Sequence, residues 1–349
     1  MTAVIQFRNV SKAYGSDARA VQSVSFSVER GTIFALLGAS GCGKTTTLRL
    51  IAGLEHPDQG EIRLDGQIVA GKDQHTPPEA RQIGMVFQDY ALFPHLSVAA
   101  NIGFAVPKLS NRERRERVET VLELVGLPDL HKRFPHQLSG GQQQRIALAR
   151  ALAPQPSVVL LDEPFSNLDA ARRRSTREEV RSILKKAEMT AIFVTHDQEE
   201  ALSIADEVGV MRGGEMLQIG SPQAIYLRPV QRDVAAFVGE ANFVPGQAHG
   251  KQVECSLGSL PLAVEAEGTV DVLVRPEMID LQPDPNGPGL IEQVQFLGYD
   301  QLVKVRLNPN LLLNVRTRTW LEWTPGMRVN TRIRGGVIAY PRNGSTQPA

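Results

Sequence analysis

A glycine-rich octapeptide, Gly38-Ala39-Ser40-Gly41-Cys42-Gly43-Lys44-Thr45, constrains the fold of this chain more than any other stretch. It fits the pattern Gly-x4-Gly-Lys-Ser/Thr of phosphate-binding loops. The apolar run 32–37 before it predicts a buried strand, and the spacing of apolar residues in 46–54 predicts a helix. Strand, glycine loop and helix together direct several backbone N–H groups at one anion. We therefore expect Lys44 to reach the β- and γ-phosphates of a nucleotide and the Thr45 hydroxyl to bind Mg²⁺.

The length and charge of the chain indicate how many domains it has and which partners are disfavoured. The 349 residues favour two domains, and 38 basic residues balance 38 acidic ones. This balance does not favour strong non-specific binding of nucleic acid, so we expect no nucleic-acid partner. The N-terminus has no signal-peptide pattern, and no run of 18 apolar residues predicts a membrane span. The two cysteines, Cys42 and Cys255, do not suggest a disulfide framework, and we expect a cytoplasmic protein.

Polar residues end several of the apolar runs that predict strands. Gln88 follows the run 83–87, Asp162 and Glu163 follow 158–161, and His196 follows 190–195. In open α/β sheets, ligands bind at the carboxyl ends of the strands. An Asp in this position typically supplies a second Mg²⁺ anchor, and a neighbouring Glu can polarise a water molecule. A lone histidine at a strand end can equally be structural.

Three other segments each permit two interpretations. Ser139-Gly140-Gly141-Gln142 opens a helix and predicts either a second anion-binding turn or a serine-capped helix start. Tyr14 stands between a strand and a glycine turn, where its ring can stack on an adenine or pack against the protein. The apolar segment 89–98 is interrupted by proline, and is either a loop packed on its own core or an exposed patch for a partner.

The pattern of predicted secondary structure changes near residue 240. Strands and helices alternate before this point, whereas short alternating strands and turns follow it. We expect an α/β domain in residues 1–240, with a helical subdomain at about 89–155. Residues 241–349 predict a small all-β barrel.

Taken together, these elements resemble an ABC-type ATPase over residues 4 to about 238. The resemblance assigns each segment a part of that family's site, in chain order: Tyr14 the adenine-stacking aromatic, 38–45 the Walker A loop, Gln88 the Q-loop glutamine, 138–142 the signature, 158–162 Walker B, Glu163 the catalytic glutamate, 166–169 the D-loop and His196 the switch histidine.

The resemblance implies an α/β P-loop ATPase domain followed by an all-β regulatory barrel. It implies that Glu163, His196 and Gln88 are catalytic, and that Thr45, Gln88 and Asp162 hold Mg²⁺. It also implies a homodimer, because the signature of one subunit is presented to the ATP of the other. The residues that it assigns to ATP binding are Tyr14, Gly38, Ala39, Ser40, Gly41, Cys42, Gly43, Lys44, Thr45, Thr46, Ser139, Gly140, Gly141 and Gln142.

Segments 237–242 and 274–277 resemble importer ATPases for sugars, polyamines, sulfate and iron(III). Ala39, Thr45 and segment 134–137 are most similar to the iron(III) subgroup. This resemblance implies a peripheral subunit at the cytoplasmic face of the inner membrane that powers an importer. Permease subunits are expected to dock near Gln88–Val98, and a periplasmic binding protein is expected to deliver the solute.

Other functions remain as alternatives at this point. The same role in a polyamine, sulfate or sugar importer is one of them. A non-transport ABC ATPase is disfavoured, because the segment between Lys44 and Asp162 contains no sustained heptads. A different phosphate-loop kinase or GTPase is disfavoured by the signature at 138–142.

Overall fold

The computed structural model describes residues 3–15, 18–168 and 170–342. The chain divides into two compact units, Met1–Ile225 and Tyr226–Ala349. The boundary near residue 240 and the helical subdomain at 89–155 stay predictions.

The first unit alternates strands and helices. Its strands are β1 (Ala3–Tyr14), β2 (Ala18–Glu29), β3 (Ile33–Gly38), β4 (Gln59–Leu64), β5 (Gln67–Gly71), β6 (Gln74–His75), β7 (Ile83–Val86), β8 (Val158–Asp162), β9 (Thr190–Thr195), β10 (Glu207–Arg212) and β11 (Glu215–Gly220). Its helices are α1 (Lys44–Ala52), α2 (Val98–Phe104), α3 (Asn111–Leu124), α4 (Gly140–Leu152), α5 (Ala170–Lys186) and α6 (Gln198–Ile204), and α7 (Pro222–Leu227) crosses into the second unit.

Two sheets form the framework of this unit. One is antiparallel, in the order β2-β1-β4-β5-β6. The other has the order β11-β10-β3-β9-β8-β7, in which the strands from β10 to β7 are parallel and β11 pairs antiparallel at the edge. β3 and β9 are buried along their whole length, as expected for central strands covered on both faces. The parallel strands therefore bring their carboxyl ends to one edge.

Apolar side chains from both sheets and from α1 pack in one buried core. The rings of Phe7 and Phe26 stack with centroids 4.6 Å apart, and Phe26 stacks on Phe34 of β3 at 5.3 Å. Leu48 and Ile51 of α1 belong to the same buried cluster. Stacking and close packing of this kind fix α1 against the sheet, and thereby fix the loop that precedes it.

Helices α2, α3 and α4 come between β7 and β8 in the sequence. The buried face of α3 is formed by Val118, Val121 and Leu122, as its apolar spacing predicts. Asn101 of α2 is fully buried, and its amide donates hydrogen bonds to the carbonyls of Phe93, Leu96 and Ser97. A single buried amide thus ties the loop before α2 to the helix.

Arg81 is a buried cation that links α1 to its surroundings. Its guanidinium donates hydrogen bonds to the carbonyls of Leu50 and Ile51 at the end of α1, at 2.7 and 2.8 Å. Further bonds go to the carbonyls of Val69 and Thr76. Burial lowers the pKa of Arg81 to about 10, so that the side chain is still charged at neutral pH. Arg81 therefore supplies donors to the carbonyls of a helix terminus from inside the protein, where the Gly53 N–H reaches the Leu50 carbonyl as well.

We expect Arg81→Met to reduce the free energy of unfolding by about 3 kcal/mol, because the carbonyls of Ile51 and Thr76 lose this charged donor and those of Leu50 and Val69 keep only a backbone N–H. Chemical denaturation of the full chain measures this change. Arg30→Met is the control, since Arg30 is an exposed residue paired with the exposed Asp65 and should change stability by less than about 1 kcal/mol. Equal losses in the two variants would contradict the capping role of Arg81.

The second unit is built of strands. These are β12 (Asn242–Cys255), β13 (Gly258–Val274), β14 (Ile279–Pro283), β15 (Gly289–Phe296), β16 (Asp300–Asn308), β17 (Leu311–Arg318), β18 (Arg328–Ile333) and β19 (Ile338–Pro341), preceded by the helix α8 (Arg232–Phe237). They form sheets in the orders β12-β13-β19 and β14-β18-β15-β16-β17 around one apolar core. The predicted all-β region is confirmed. Its described strands form two open sheets and no closed barrel. Local alternation predicts strands but does not predict which of them pair.

Among the helices of the described ranges, none combines the length and the apolar character needed to cross a membrane.

Candidate active site

The glycine loop joins β3 to α1 in a tightly enclosed turn. Gly43 precedes α1 with a φ of 104°, and a Cβ at this position would lie 2.0 Å from the carbonyl oxygen of Ala20. A Cβ on Gly38 would lie 2.4 Å from the carbonyl oxygen of Met211. Larger residues would therefore displace the neighbouring backbone. Ala39 and Ser40 are exposed, so the outer face of the loop is open to a ligand.

Lys44 carries its charge into this loop. Its side chain is buried, and Nζ donates hydrogen bonds to the carbonyl oxygens of Gly38 at 2.7 Å and Ala39 at 2.9 Å. The Sγ atom of Cys42 lies 3.8 Å from Nζ, and Cys42 is itself buried. The ammonium group is thus held at the start of α1, where the helix dipole adds positive potential. Thr45, the next residue, is exposed.

The strand register places the predicted acids and the histidine beside the loop. In the ladders, Leu37 of β3 is opposite Thr195 of β9, and Val194 is opposite Asp162 of β8. The residues that follow these strands therefore emerge side by side. Burial, together with the neighbouring Glu163 carboxylate, raises the pKa of Asp162, and Arg49 and Lys44 oppose this shift. A half-buried carboxylate with a raised pKa is typical of a group that gains from a nearby cation.

Glu163 and His196 contact each other directly. Oε1 of Glu163 lies 3.2 Å from Nδ1 of His196. Glu163 has a φ of 39°, in the left-handed region that non-glycine residues seldom adopt. Its backbone is held there on both sides, because its N–H donates to the carbonyl of Val194 and its carbonyl accepts from the Ser166 hydroxyl. Backbone strain held by the surroundings is frequent at functional sites. The carboxylate can accept a proton, and the histidine can orient it.

Gln88 lies two residues beyond the end of β7, and its side chain is exposed. Its carbonyl accepts a hydrogen bond of 2.7 Å from the amide of Asn167. This bond connects the segment after β7 to the segment after β8. This bond was not predictable from the sequence, because it joins two segments that lie 79 residues apart along the chain. Asp169, assigned above to the D-loop, lies outside the described residues.

The segment Ser139–Gln142 forms the start of α4. The Ser139 hydroxyl accepts from the Gln142 N–H at 3.4 Å, and the Gln142 side chain accepts from the Ser139 N–H at 3.0 Å. The predicted serine cap is present, in the form of a capping box. These bonds lie within one turn of α4, and the strands of the acid and histidine cluster do not contribute to them. Ser139 and Gly140 are exposed, so this helix start is open to another molecule.

Tyr14 lies at the end of β1 and is 44% exposed. The Nζ atom of Lys12 is 5.6 Å from the centre of its ring. A ring exposed to this extent does not belong to the core, so packing is the weaker of the two interpretations. Adenine stacking by Tyr14 stays a prediction.

Comparisons with known proteins identify the family of this chain. A model of the family described as "ABC transporter" matches residues 21–166. The chain is 46% identical to the Fe(3+) ions import ATP-binding protein FbpC 1 of Rhodococcus jostii (strain RHA1), over 98% of this chain and 100% of that protein. The chain belongs to the ABC transporter family. As a member with the ATP-binding cassette, it is an ATP-binding ATPase, which confirms the enzyme class and the nucleotide predicted above.

This ABC ATPase is also similar to a second curated import protein and to a solved structure. It is 45% identical to the spermidine/putrescine import ATP-binding protein PotA of Pseudomonas fluorescens (strain Pf0-1), over 89% of this chain and 90% of that protein. A solved dimeric structure of the ATP-binding cassette MJ0796 in a post-hydrolysis state with ADP and Pi is similar, with a TM-score of 0.54 and 30% identity. That similarity covers 62% of this chain and 98% of the solved chain. The predicted importer group is therefore confirmed.

Proposed function

We propose that this chain is the Mg²⁺-dependent ATPase subunit of an iron(III) importer, acting as a homodimer at the cytoplasmic face of the inner membrane. The observation that carries the proposal is the single edge of the parallel sheet. Lys44, Glu163 and His196 follow strands that end there, and Asp162 is the last residue of one of these strands. The names of the relatives that match almost the whole chain support iron(III) as the solute.

The donor set at this edge fits Mg²⁺. The Asp162 carboxylate, the Thr45 hydroxyl and the Gln88 amide offer oxygen ligands, which Mg²⁺ prefers together with phosphate oxygens. The bound ion would neutralise charge on the β- and γ-phosphates. Lys44 and the backbone N–H groups of 39–46 would bind the same phosphates from the other side.

Hydrolysis then depends on Glu163 and His196. The Glu163 carboxylate would take a proton from a water molecule while the water oxygen attacks the γ-phosphorus and the bond to the bridging β-γ oxygen breaks. ADP and inorganic phosphate are the products. His196 would contact the γ-phosphate and hold the geometry through its contact with Glu163. In phosphoryl transfer of this kind the protein mainly positions groups and compensates charge.

A second copy of the chain would complete the site. Ser139 and Gly140 are exposed at the positive end of α4, and within the described part of the chain the side-chain hydrogen bonds of Ser139 and Gln142 remain within that helix turn. A head-to-tail homodimer would present Ser139–Gln142 of one copy to the ATP of the other and enclose two ATP molecules. Hydrolysis would then allow the dimer to open.

We place the docking surface for the permease near Gln88–Val98. Tyr90 is buried, so part of this segment packs on its own core, whereas Pro94 and His95 are exposed. Phe104 is 63% exposed and its ring packs against Phe93 at 4.8 Å. A groove of about 730 Å³ continues from this segment between α2 and α3, with Ser97 and Val118 among its lining residues. A periplasmic binding protein would deliver the solute to the permease.

Phe104→Asp tests this surface. We expect the variant to lose co-purification with the cognate permease while its ATP hydrolysis in isolation is unchanged, because most of the Phe104 side chain is exposed and it is not part of the proposed ATP site. Phe296→Asp is the matched control, since Phe296 of the second unit is 68% exposed. Retention of the permease by the Phe104 variant, or its loss in both variants, would contradict the docking surface.

A deletion strain decides between iron(III) and the second candidate, a polyamine, which the 45% identity to a spermidine/putrescine import protein favours. We expect deletion of the gene to abolish uptake of radiolabelled iron(III) and to leave uptake of radiolabelled spermidine unchanged. The intact gene should restore uptake, and the Glu163→Gln variant should not. Loss of spermidine uptake alone would overturn the assignment of iron.

A further inference from the structure

The backbone that follows His196 is held by side-chain hydrogen bonds. The N–H of Asp197 donates to the Thr195 hydroxyl at 2.9 Å, and this hydroxyl donates to the carboxylate of Glu200 at 2.5 Å. The Asp197 carboxylate in turn accepts from the N–H of Glu199 at 2.8 Å and caps α6. His196 itself is exposed over 55% of its side chain. Its orientation therefore depends on the rigidity of its neighbours.

A buried arginine from another helix stabilises this loop. Arg177 of α5 has a side chain that is only 8% exposed. Its Nη2 atom lies 3.1 Å from the Asp197 carboxylate and 3.5 Å from that of Glu200, and Nη1 lies 3.3 Å from that of Glu199. Burial raises the pKa of Glu200, and the charge of Arg177 opposes this effect. One guanidinium thus compensates three carboxylates that all lie within four residues of His196.

We propose that Arg177 is a positioning residue for His196. It connects α5, the helix that follows the segment after Glu163, to the loop that carries the histidine. In its absence, three neighbouring carboxylates would repel one another around Thr195 and Asp197, and the loop would shift. His196 Nδ1 would then lose its 3.2 Å contact with Glu163. This inference rests on the proposed roles of Glu163 and His196 in ATP hydrolysis.

The first test compares two arginines on the same helix. We expect Arg177→Met to lower kcat for ATP by about 10-fold or more with KM for ATP changed less than about twofold, because small misplacements at a reacting group mainly affect kcat. Arg177→Lys keeps the charge and should recover part of the rate. Arg181→Met is the control, since Arg181 lies one turn further on and bonds to Ile204 and Asp206. Equal kcat values for the Arg177→Met variant and the wild type would overturn the proposal.

A double substitution separates positioning from general damage to the fold. If Arg177 acts through His196, Arg177→Met should reduce the residual rate of a His196→Ala variant by less than about twofold. The same fold-loss in both backgrounds would show that Arg177 acts independently of the histidine, and would overturn the proposal. Arg177→Lys in both backgrounds gives the same comparison if Arg177→Met does not fold. Absence of ATP hydrolysis in the wild type would instead overturn the proposed function.

Discussion

Replacement of Glu163 by glutamine should reduce steady-state ATP hydrolysis by about 10²- to 10⁴-fold and leave ATP bound. The amide keeps the shape of the side chain but cannot accept the proton of the attacking water. The bonds that hold the backbone of Glu163 to Val194 and Ser166 are unaffected, so the site should remain assembled. Phosphate release measures the rate, and retention of labelled ATP after gel filtration measures binding.

A matched substitution controls for the loss of a negative charge. Glu116 of α3 is 60% exposed and pairs with Arg112 on the same helix, so Glu116→Gln should hydrolyse ATP at the wild-type rate. The Glu163→Gln variant should also accumulate as a dimer when ATP and Mg²⁺ are added. Hydrolysis by Glu163→Gln at a rate close to that of the wild type would rule out Glu163 as the proton acceptor.

Replacement of Ser139 by arginine should abolish the ATP-dependent dimer and reduce hydrolysis by about 100-fold or more, since the ATP of each copy loses donors from the other. The larger cation at the exposed start of α4 would also obstruct the approach of the second copy. ATP binding by the monomer should be unchanged, because Ser139 does not belong to the loop at Lys44. Analytical ultracentrifugation with and without ATP measures the dimer.

Ser110 provides a close control for the loss of a helix cap. It caps α3 with the same capping box, in which its hydroxyl accepts from the Glu113 N–H and the Glu113 carboxylate accepts from the Ser110 N–H. Ser110→Arg therefore removes a similar cap, worth about 1 kcal/mol, at a site far along the chain from the signature. Dimer formation by both variants, or its loss in both, would contradict a specific role of Ser139.

Much of the α/β unit was predictable because local patterns carry it. A buried parallel strand needs a continuous apolar run, and the residue that ends such a run lies at the ligand edge. Asp162, Glu163 and His196 could therefore be placed beside the glycine loop before any pairing was known. The ladder from β3 through β9 to β8 has the register that this reasoning requires.

Contacts between distant segments were not predictable in this way. Arg177 is about 20 residues from its carboxylate partners, and Arg81 reaches the carbonyls of Leu50 and Ile51 some 30 residues earlier. Nothing in the neighbourhood of either arginine in the sequence marks it as buried. The all-β character of the region after residue 240 was predictable, but its division into two sheets was not, because alternation predicts strands and not their order.

A structure of the Glu163→Gln variant with ATP and Mg²⁺ would test most directly the claim that two copies share each nucleotide. We predict a homodimer in which Lys44, Thr45 and Asp162 of one copy and Ser139 of the other surround the same triphosphate. A monomer that encloses ATP and Mg²⁺ with its own residues alone, with Ser139 remote from every phosphate, would contradict it.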